Sequence, residues 1–499
     1  MSVRNEEFRP PNVDWLLDCD PRPAQLEALA RSYTGMAYQD ARGGLVSPRE
    51  IRSTRDPAIG WGHYCEMRVG KTPILLAEYA LFKRDHGFTK ALIWSPNKFK
   101  GSWALEARRF GIDDPILVFE SSRRKEIQKF IEADRGICVV NWEAAIYPDL
   151  CALLQDFVDE KTLVAGDEAI AIKNRESLVF RNSVILARQG GVVRPMTGKP
   201  IVQGPHDLYS QFRWMRHLDG VNYFQFRNRY CVMGGFKGKQ VLGVKNEDAL
   251  QELIFRCAFY ARRRDWATFF EPEQVTRPVD MLPAQRAAYQ SMEEDFIVWL
   301  GEEIGVSVEQ VITKHLKLQQ ISSGFFYGED GTTHWLVDPA KAPKMLDLKA
   351  LLESEIEGKT IVIAHHAPTI QSLTEQLADY HPAVIKGKMK TGDVDAQKFK
   401  FNNDPKCRVM IGQDQAIKYG HTLMGTPDDP CQTIYYYENG YSLDTRSQTM
   451  ERNQGEGQTD ATVLFDPVCS PVEEAIAGAL QRKEQIAGTI LGYYKKLHQ

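Results

Sequence analysis

Short apolar runs alternate with helix-like segments over two long stretches of the chain. In the first stretch, runs that suit buried strands lie at residues 91–94, 137–140, 163–166 and 192–196, and helical spacing occurs at 26–33, 73–82 and 206–218. Continuous apolar runs of this length, bounded by polar residues, are typical of parallel strands that are covered on both faces. The pattern therefore predicts an α/β fold.

The same alternation returns in the C-terminal part of the chain. Strand-like runs lie there at 360–364, 383–385, 409–411, 433–437 and 461–465, and helical segments at 344–352, 369–380 and 472–497. Between the two stretches the alternation breaks down, and closely spaced glycines at 234, 235, 238 and 243 indicate a loop or hairpin. A chain of 499 residues exceeds what one hydrophobic core supports. We therefore predict an N-terminal α/β domain at 1–218, a mainly helical connecting module at 219–340 and a C-terminal α/β domain at 341–499.

Residues 65–72, CEMRVGKT, fit the tail of a phosphate-binding loop that leads directly into an apolar helical segment. In such a loop the backbone N–H groups and the helix N-terminus face the phosphates, a lysine neutralises the β/γ oxygens, and a hydroxyl reaches Mg²⁺. Lys71 and Thr72 hold these two positions, although Cys65 replaces the leading glycine of the general pattern. Taken alone, the octapeptide also fits a Gly-Lys-Thr turn that caps an ordinary helix.

Two adjacent acids, Asp167 and Glu168, close the apolar run that begins at residue 163. A carboxylate that is drawn toward a sheet edge needs a cation. In a nucleotide motor the first acid holds Mg²⁺ and the second orients and deprotonates the attacking water. The alternative is a pair of acids that caps a helix. Because these acids follow the loop lysine by two strand–helix units, the sequence favours the catalytic interpretation.

Other polar residues lie where ligands bind to open α/β sheets. Gln25 precedes the phosphate loop, and its amide can both donate to and accept from an adenine edge. The first two strands end in Ser95, Pro96 and Lys98 and in Asn141, at the carboxyl edge of the sheet. The alternatives are a surface glutamine and ordinary strand-to-loop transitions.

Composition limits the partners and the compartment. The formal net charge of −4 provides no global field for a polyanion, so nucleic acid would have to bind local basic clusters. Nine cysteines without a CxxC pair argue against a zinc site and a disulfide framework, and they favour a reducing cytosol. The polar N-terminus and the lack of a long apolar run predict no signal peptide and no membrane span. We therefore expect a cytoplasmic protein of a bacterial cell or a phage-infected host.

Several motifs occur in one fixed order and together resemble a known family. They are RPAQ at 22–25, EMRVGKT at 66–72, DEAI at 167–170 with KN at 173–174, TGKP at 197–200, LQQISSG at 318–324, KTIVIA at 359–364, YGHTL at 419–423 and QTMERNQGEGQ at 448–458. This series is similar to that of the Swi/Snf-like branch of superfamily-two helicases and DNA translocases, in its short prokaryotic or phage form. The similarity extends over residues 21–476.

The resemblance implies two RecA-like domains, with ATP and Mg²⁺ bound in the cleft between them and hydrolysis coupled to movement along double-stranded DNA. It implies nucleotide contacts from Gln25, Arg68, Val69, Gly70, Lys71, Thr72 and Gly420, magnesium ligands Thr72 and Asp167, and catalytic residues Lys71, Asp167, Glu168 and Arg452. Arg452 would be the arginine opposite the γ-phosphate. Ser95, Pro96, Lys98 and Asn141 would grip the DNA backbone, which positions a protein without reading base sequence. No protein partner is indicated.

Three positions depart from the family pattern. Ile170 replaces the histidine of the acid motif, Pro195 interrupts the strand that precedes Thr197, and Gly455 replaces the second arginine of the closing motif. Arginine fingers contribute about 10³- to 10⁵-fold in rate, so Arg452 has to act alone or with help from Arg446.

Two alternatives stay open, and the departures at Gly455 and Ile170 favour the first of them. One is a degenerate motor that binds ATP and nucleic acid as a switch, and the other is an RNA-directed helicase. An unrelated P-loop kinase leaves the second α/β domain unexplained.

Overall fold

The computed structural model describes residues 25, 28–29, 31–32, 59–66, 69–120, 124–218, 220–234, 240–262, 270–302, 316–328, 330–417, 422–440, 442–454 and 460–491. The chain divides into two compact units, Met1–Phe269 with Lys483–Gln499, and Phe270–Arg482. Each unit contains one large, mainly parallel sheet. The α/β fold class with two parallel sheets is confirmed.

The first unit contains nine described strands and eight helices whose full extent is described. The strands are β1 (Gly62–Cys65), β2 (Lys90–Ser95), β3 (Ile116–Val118), β4 (Gly136–Asn141), β5 (Thr162–Asp167), β6 (Val192–Met196), β7 (Cys231–Gly234), β8 (Gln240–Val244) and β9 (Ala258–Ala261). The helices are α1 (Lys71–His86), α2 (Lys100–Arg109), α3 (Arg124–Glu132), α4 (Pro148–Phe157), α5 (Leu178–Gln189), α6 (Asp207–Trp214), α7 (Tyr223–Tyr230) and α8 (Glu247–Cys257). Short 3-10 turns cover Trp142–Ile146 and Ala169–Ile172.

Seven of these strands form a parallel sheet in the order β3-β4-β2-β5-β6-β1-β9. Alternate residues of a strand point to opposite faces, and β2 shows the consequence. Ile93 packs in the same apolar cluster as α1, whereas Leu92 and Trp94 pack with α4 and α5. The sheet is therefore covered on both faces, as its continuous apolar runs predict.

The strand β6 runs through Pro195 without a break, so the predicted interruption amounts to the loss of one ladder hydrogen bond. Residues 192–196 keep a parallel register with β5, and Pro195 lies opposite Gly166. A proline lacks one N–H donor but retains its carbonyl acceptor. Its cost is a single ladder bond, and the buried apolar neighbours of β6 compensate for that loss.

The second unit is built in the same way. Its strands are β10 (Glu273–Pro278), β11 (Phe325–Tyr327), β12 (Thr333–Trp335), β13 (Lys359–Ala364), β14 (Ala383–Ile385), β15 (Val409–Gln413), β16 (Gly425–Thr426), β17 (Asp429–Tyr436) and β18 (Val463–Val468). Its helices with fully described bounds are α9 (Pro283–Glu302), α10 (Pro343–Ser354), α11 (Ala367–Gln376), α12 (Thr391–Asn403), α13 (Asp414–Ile417) and α14 (Leu443–Met450), together with 3-10 turns at Pro339–Lys341 and Ala378–Tyr380. The helix α15 (Pro471–Leu491) belongs to the second unit up to Arg482, and its residues from Lys483 onward belong to the first. The parallel order is β10-β18-β17-β13-β15-β14, and β16 pairs antiparallel with β17. The helices α10 and α11 pack on one face and α12 on the other.

The segment predicted as a connecting module contributes to both units. Residues 219–269 belong to the first unit and 270–340 to the second. Within it, β7 and β8 form the antiparallel hairpin that the glycines indicated, β9 adds to the edge of the first sheet, and β10 adds to the edge of the second. The three-part domain division stays a prediction. None of the helices in the described ranges is both long enough and apolar enough to cross a membrane.

Gly136 offers a test of the packing at the start of β4. Its φ is +101°, and a Cβ added there would lie 2.3 Å from the carbonyl oxygen of Pro115. Because both the backbone conformation and the contact disfavour a side chain, we expect Gly136→Ala to lower the free energy of unfolding by about 1–3 kcal/mol. Urea denaturation followed by tryptophan fluorescence measures the change.

Gly101 is the matched control, because it lies in α2 and an added Cβ there has no neighbour within 4 Å. Gly101→Ala should be neutral or stabilising by up to about 1 kcal/mol. An equal effect of the two substitutions would contradict the packing assigned to β4.

Candidate active site

The loop between β1 and α1 is shaped by Gly70. This residue has φ +101° in the left-handed region and immediately precedes Lys71, the first residue of α1. A Cβ at Gly70 would lie 2.0 Å from the Nε2 atom of Gln25, so the glutamine amide rests against this turn. Val69 is buried, and its N–H donates to the carbonyl of Glu66 at 3.3 Å. Thus two of the predicted nucleotide contacts, Gln25 and Gly70, meet at the helix N-terminus, whereas Arg68 lies outside the described residues.

Lys71 points back across the loop rather than into solvent. Its Nζ donates to the carbonyl of Cys65 at 3.0 Å and lies 3.8 Å from Oε1 of Glu168. Thr72 is half-buried in the first turn of α1. The ammonium group therefore lies between the end of β1 and the acid pair that follows β5.

Asp167 is the last residue of β5, and its carboxylate is held on both oxygens. Oδ1 accepts the N–H of Glu168 at 3.0 Å, and Oδ2 accepts the hydroxyl of Ser95 at 3.4 Å. The indole N–H of Trp142 donates to the backbone carbonyl of Asp167 at 2.8 Å. Burial raises the pKa of Asp167, and Lys71, the Glu168 N–H and Ser95 act in the opposite direction without cancelling the effect of burial.

Glu168 leaves the strand in an unusual backbone conformation. Its φ is +48° and its ψ is 55°, a left-handed geometry that is uncommon for a residue with a side chain. Its Oε2 accepts the hydroxyl of Thr197 at 3.3 Å, while its Oε1 faces Lys71. Thr197 also accepts the N–H of Lys199 at 3.1 Å. The Thr-Gly turn after β6 therefore contacts the second acid directly.

The four predicted nucleic-acid contacts do not share one environment. Ser95 is fully buried, and its Oγ accepts the indole N–H of Trp103 at 3.2 Å while its hydroxyl donates to Asp167. Pro96 is half-buried and Lys98 is exposed in the turn after β2. Asn141, at the end of β4, donates to Glu143 at 2.8 Å. The geometry of Ser95 suits support of Asp167 better than contact with a DNA backbone.

The predicted arginine lies in the second unit. Arg452 is 2% exposed, and its Nε donates to the carbonyl of Gln448 at 2.6 Å. Arg446 binds both oxygens of Asp466 at 2.6 Å and stacks 3.5 Å from the ring centroid of Tyr436, so its charge is matched inside its own unit. Gly420 and Gly455 lie outside the described residues.

One curated protein and two solved structures are among the known proteins similar to this chain. No family model matches the chain. The SWI/SNF-related matrix-associated actin-dependent regulator of chromatin subfamily A-like protein 1 homolog of Caenorhabditis elegans is 20% identical in an alignment of 449 residues that covers 85% of this chain. The chain is thus similar to a SWI/SNF-related protein. It spans 58% of the length of that curated relative.

Two solved structures are similar to this chain over nearly its whole length. The Sulfolobus solfataricus SWI2/SNF2 ATPase core in complex with dsDNA has a TM-score of 0.43 and 16% identity, and it covers 96% of both chains. The ATPase core domain from the same organism has a TM-score of 0.40 and 17% identity, with 97% of this chain and 92% of that chain covered. The short prokaryotic or phage type and the cytoplasmic location stay predictions.

Sequence reasoning missed one aromatic residue and one group of buried residues around the site. Trp142 follows β4 and anchors the backbone of Asp167. Glu78 of α1, Arg194 of β6 and His63 of β1 are fully buried charged or ionisable residues. A signal for this group exists in the sequence, because a glutamate within the apolar run ILLAEYALF of α1 is costly unless a partner meets it.

Proposed function

We propose that this chain binds ATP with Mg²⁺ and couples ATP hydrolysis to movement along double-stranded DNA. The observation that carries the proposal is the meeting of Lys71 and Thr197 on the two oxygens of Glu168, next to the half-buried Asp167. These groups lie at the carboxyl ends of β5 and β6 and at the N-terminus of α1. Ligands of open α/β sheets bind at this edge, and phosphates bind at helix N-termini.

The residues at this edge have separate roles. Lys71 and the N–H groups at the start of α1 neutralise the β/γ-phosphates, and Gln25 orients the adenine. Thr72 and Asp167 hold Mg²⁺, which supplies charge neutralisation at the phosphates. Each oxygen of Asp167 accepts one described hydrogen bond and has two lone pairs, so this oxygen donor set fits the preference of Mg²⁺.

Glu168 is the proposed base for the attacking water. The hydroxyl of Thr197 and the ammonium of Lys71 hold its carboxylate from two sides, which fixes its direction. Proton transfer by such a positioned carboxylate contributes about 10²- to 10⁴-fold in rate. Thr197 thus orients the base, and a change in that contact changes turnover.

The nucleic-acid part of the proposal depends on the relative and on the strand ends. The curated relative is described as a regulator of chromatin, which favours DNA over RNA. The exposed Lys98 and the edge residue Asn141 are the proposed backbone contacts in the first unit, and the half-buried Pro96 lies in the same turn as Lys98. Such contacts bind phosphates without reading base sequence.

A second candidate function is a nucleotide-dependent switch with little turnover. It is favoured by the pairing of Arg446 with Asp466, because an arginine held in this way does not assist Arg452. Arg452 is then the one proposed arginine of the closing motif that acts on the γ-phosphate. Measured hydrolysis in the presence of duplex DNA separates the two functions.

Substitutions at the lysine and at the base test the proposed chemistry. We expect Lys71→Ala to abolish nucleotide binding and hydrolysis, and Glu168→Gln to retain nucleotide binding but to lower DNA-stimulated phosphate release by about 10²-fold or more. A fluorescent ATP analogue reports binding, and a phosphate-release assay reports turnover. Lys83→Ala is the control, because Lys83 lies at the other end of α1 and pairs with Asp114 at 2.7 Å. Full activity of either site variant would refute the assignment.

The raised pKa of Asp167 predicts how the site responds to acid. Burial favours the protonated form, and only the carboxylate binds Mg²⁺, so Mg²⁺-dependent binding of the ATP analogue should disappear at a higher pH than for an ordinary aspartate. Ser95→Ala removes a hydrogen bond that lowers this pKa, so the midpoint should move to higher pH. Ser102 lies on α2, and its hydroxyl donates to the carbonyl of Phe99 just before that helix. Ser102→Ala should leave the midpoint unchanged. Identical midpoints for Ser95→Ala and wild type would disprove the support role of Ser95.

Salt dependence tests the proposed backbone contact of Lys98. Each lysine–phosphate contact adds about 0.9 to the slope of log K against log salt for duplex DNA, so Lys98→Ala should lower that slope by about this amount. Lys161→Ala is the control, since Lys161 donates to the carbonyl of His86 and precedes β5 at the amino edge of the sheet. Fluorescence anisotropy with duplex DNA, single-stranded DNA and RNA measures both slope and preference. Tighter binding of RNA than of duplex DNA would replace the DNA proposal by the RNA-directed alternative.

A further inference from the structure

A trio of buried ionisable residues lies between α1 and the sheet of the first unit. Glu78 comes from α1, Arg194 from β6 and His63 from β1, and each side chain is 0% exposed. We call these three residues the buried trio. None of them has a part in the chemistry proposed above.

Direct bonds join the members of the buried trio. Nε of Arg194 donates to Oε1 of Glu78 at 2.5 Å, and Nε2 of His63 lies 3.0 Å from Oε2 of Glu78. The guanidinium of Arg194 also lies 5.4 Å from the ring centroid of Phe82, one helical turn beyond Glu78. Arg194 therefore contacts two successive turns of α1, while Glu78 contacts two strands.

The glutamate of the trio is ionised. Burial by itself raises the pKa of Glu78, but the charges and hydrogen bonds of Arg194 and His63 outweigh burial and lower the pKa to about 2. Replacing a buried ion pair by apolar residues of similar volume is often neutral or stabilising. Stability alone therefore does not explain three such residues in this place, whereas directional bonds fix the relative position of the elements that carry them.

The positions of the trio relate it to the site. Glu78 follows Lys71 by seven residues, which is two helical turns, so the two side chains lie on the same side of α1. Arg194 precedes Thr197 by three residues on the same strand segment. The carbonyl of His63 accepts the N–H of Thr197 at 3.2 Å. Each member is thus tied to an element that presents Lys71 or Thr197 to Glu168.

We propose that Glu78, Arg194 and His63 are positioning residues that fix the rotation and register of α1 against β1 and β6, and so hold Lys71 and Thr197 on the two oxygens of Glu168. This inference rests on the proposed function, because it assigns the trio to the geometry of the proposed base. Misplacement by about 1 Å from a distant change lowers rates by about 10²-fold, so a small rotation of α1 has a large effect.

The test replaces both members of the Glu78–Arg194 ion pair, so that neither charge is left unpaired, while the ring of His63 loses its contact with Glu78 in the same step. We expect the double variant Glu78→Leu with Arg194→Met to remain folded, to bind the fluorescent ATP analogue within a few-fold of wild type, and to lose about 10- to 100-fold in kcat. Thr197→Val should lower kcat in the wild-type background and have a smaller effect in the double variant, since the trio acts through Thr197 as well as through Lys71. Equal costs of Thr197→Val in both backgrounds, or a double variant with wild-type kcat, would overturn the inference.

Hydrogen exchange provides a readout that does not depend on turnover. In the double variant, the amide of Thr197 and the amides of the first two turns of α1 should exchange faster, because the bonds that hold these segments together are removed. Unchanged exchange at these amides would also overturn the inference. Should wild type bind and hydrolyse no ATP, the proposed function fails, and hydrogen exchange still decides whether the trio positions α1 and β6.

Lys90→Met is the matched control. Lys90 is another buried charge of the same sheet, paired with Asp134 at 2.6 Å and Asp159 at 2.7 Å, but it lies at the amino end of β2. Its loss should affect stability without changing the effect of Thr197→Val or the exchange of the Thr197 amide. The same coupling in Lys90→Met would show that any buried ion pair has this effect, which contradicts a specific role for the trio.

Discussion

The ammonium of Lys71 beside the acid pair is the interaction on which the candidate site depends. Asp167 ends β5, which lies between β2 and β6 in the sheet, and burial alone would favour the protonated form of its carboxyl group. Lys71 opposes that tendency and also faces Glu168 at 3.8 Å. The lysine therefore has two tasks, because the residue proposed to bind phosphate also helps to keep a proposed metal ligand ionised. Parallel strands make this possible, since β1, β5 and β6 all end at one edge of the sheet.

The chemistry-bearing residues were readable from the sequence because their spacing is local. The motif GKT before an apolar helix and two acids after an apolar strand predicted Lys71, Thr72, Asp167 and Glu168, and the structure brings Lys71 beside the acids. The structure does not test their roles in binding and catalysis. Neither their distances nor the contact of Thr197 with Glu168 could be predicted, because these depend on how three separate strands align.

Ser95 and the buried trio show where one sequence is insufficient. A serine at a strand end suggests an exposed polar group, but the last residue of β2 points into the packed layer against Trp103 and Asp167. Likewise, β1 has a histidine and a glycine among four residues, so its composition gave little strand signal although all four residues are buried. Glu78 stands out as a charge in an apolar helix, yet its partners lie 15 and 116 residues away along the chain. Pairings of this kind are properties of the sheet order, which local patterns do not contain.

The second unit uses its own sheet edge differently. Glu438, after β17, accepts the N–H groups of His365 and His366 at 2.7 and 2.9 Å and the hydroxyl of Thr369 at 2.7 Å. His365 lies 2.9 Å from Asp414, and this hydrogen bond, against the effect of burial, raises the pKa of its imidazole. Acids and bases at this edge thus bind one another within the unit, as Arg446 binds Asp466. The acid pair of the first unit instead faces a lysine at the start of a helix, which is why the proposed phosphate chemistry is assigned there.

The buried trio follows from the same need for fixed geometry. The helix α1 packs on the sheet through apolar side chains such as Ile74 and Leu81, and apolar contact is non-directional, so it tolerates small rotations of a helix. A hydrogen-bonded ion pair allows far less, because its strength depends on distance and angle. A helix whose first residue must point at a particular carboxylate therefore gains from one directional anchor two turns further along. Glu78 occupies that position. One partner, His63, belongs to β1, which precedes the phosphate loop, and the other, Arg194, belongs to β6, which precedes Thr197.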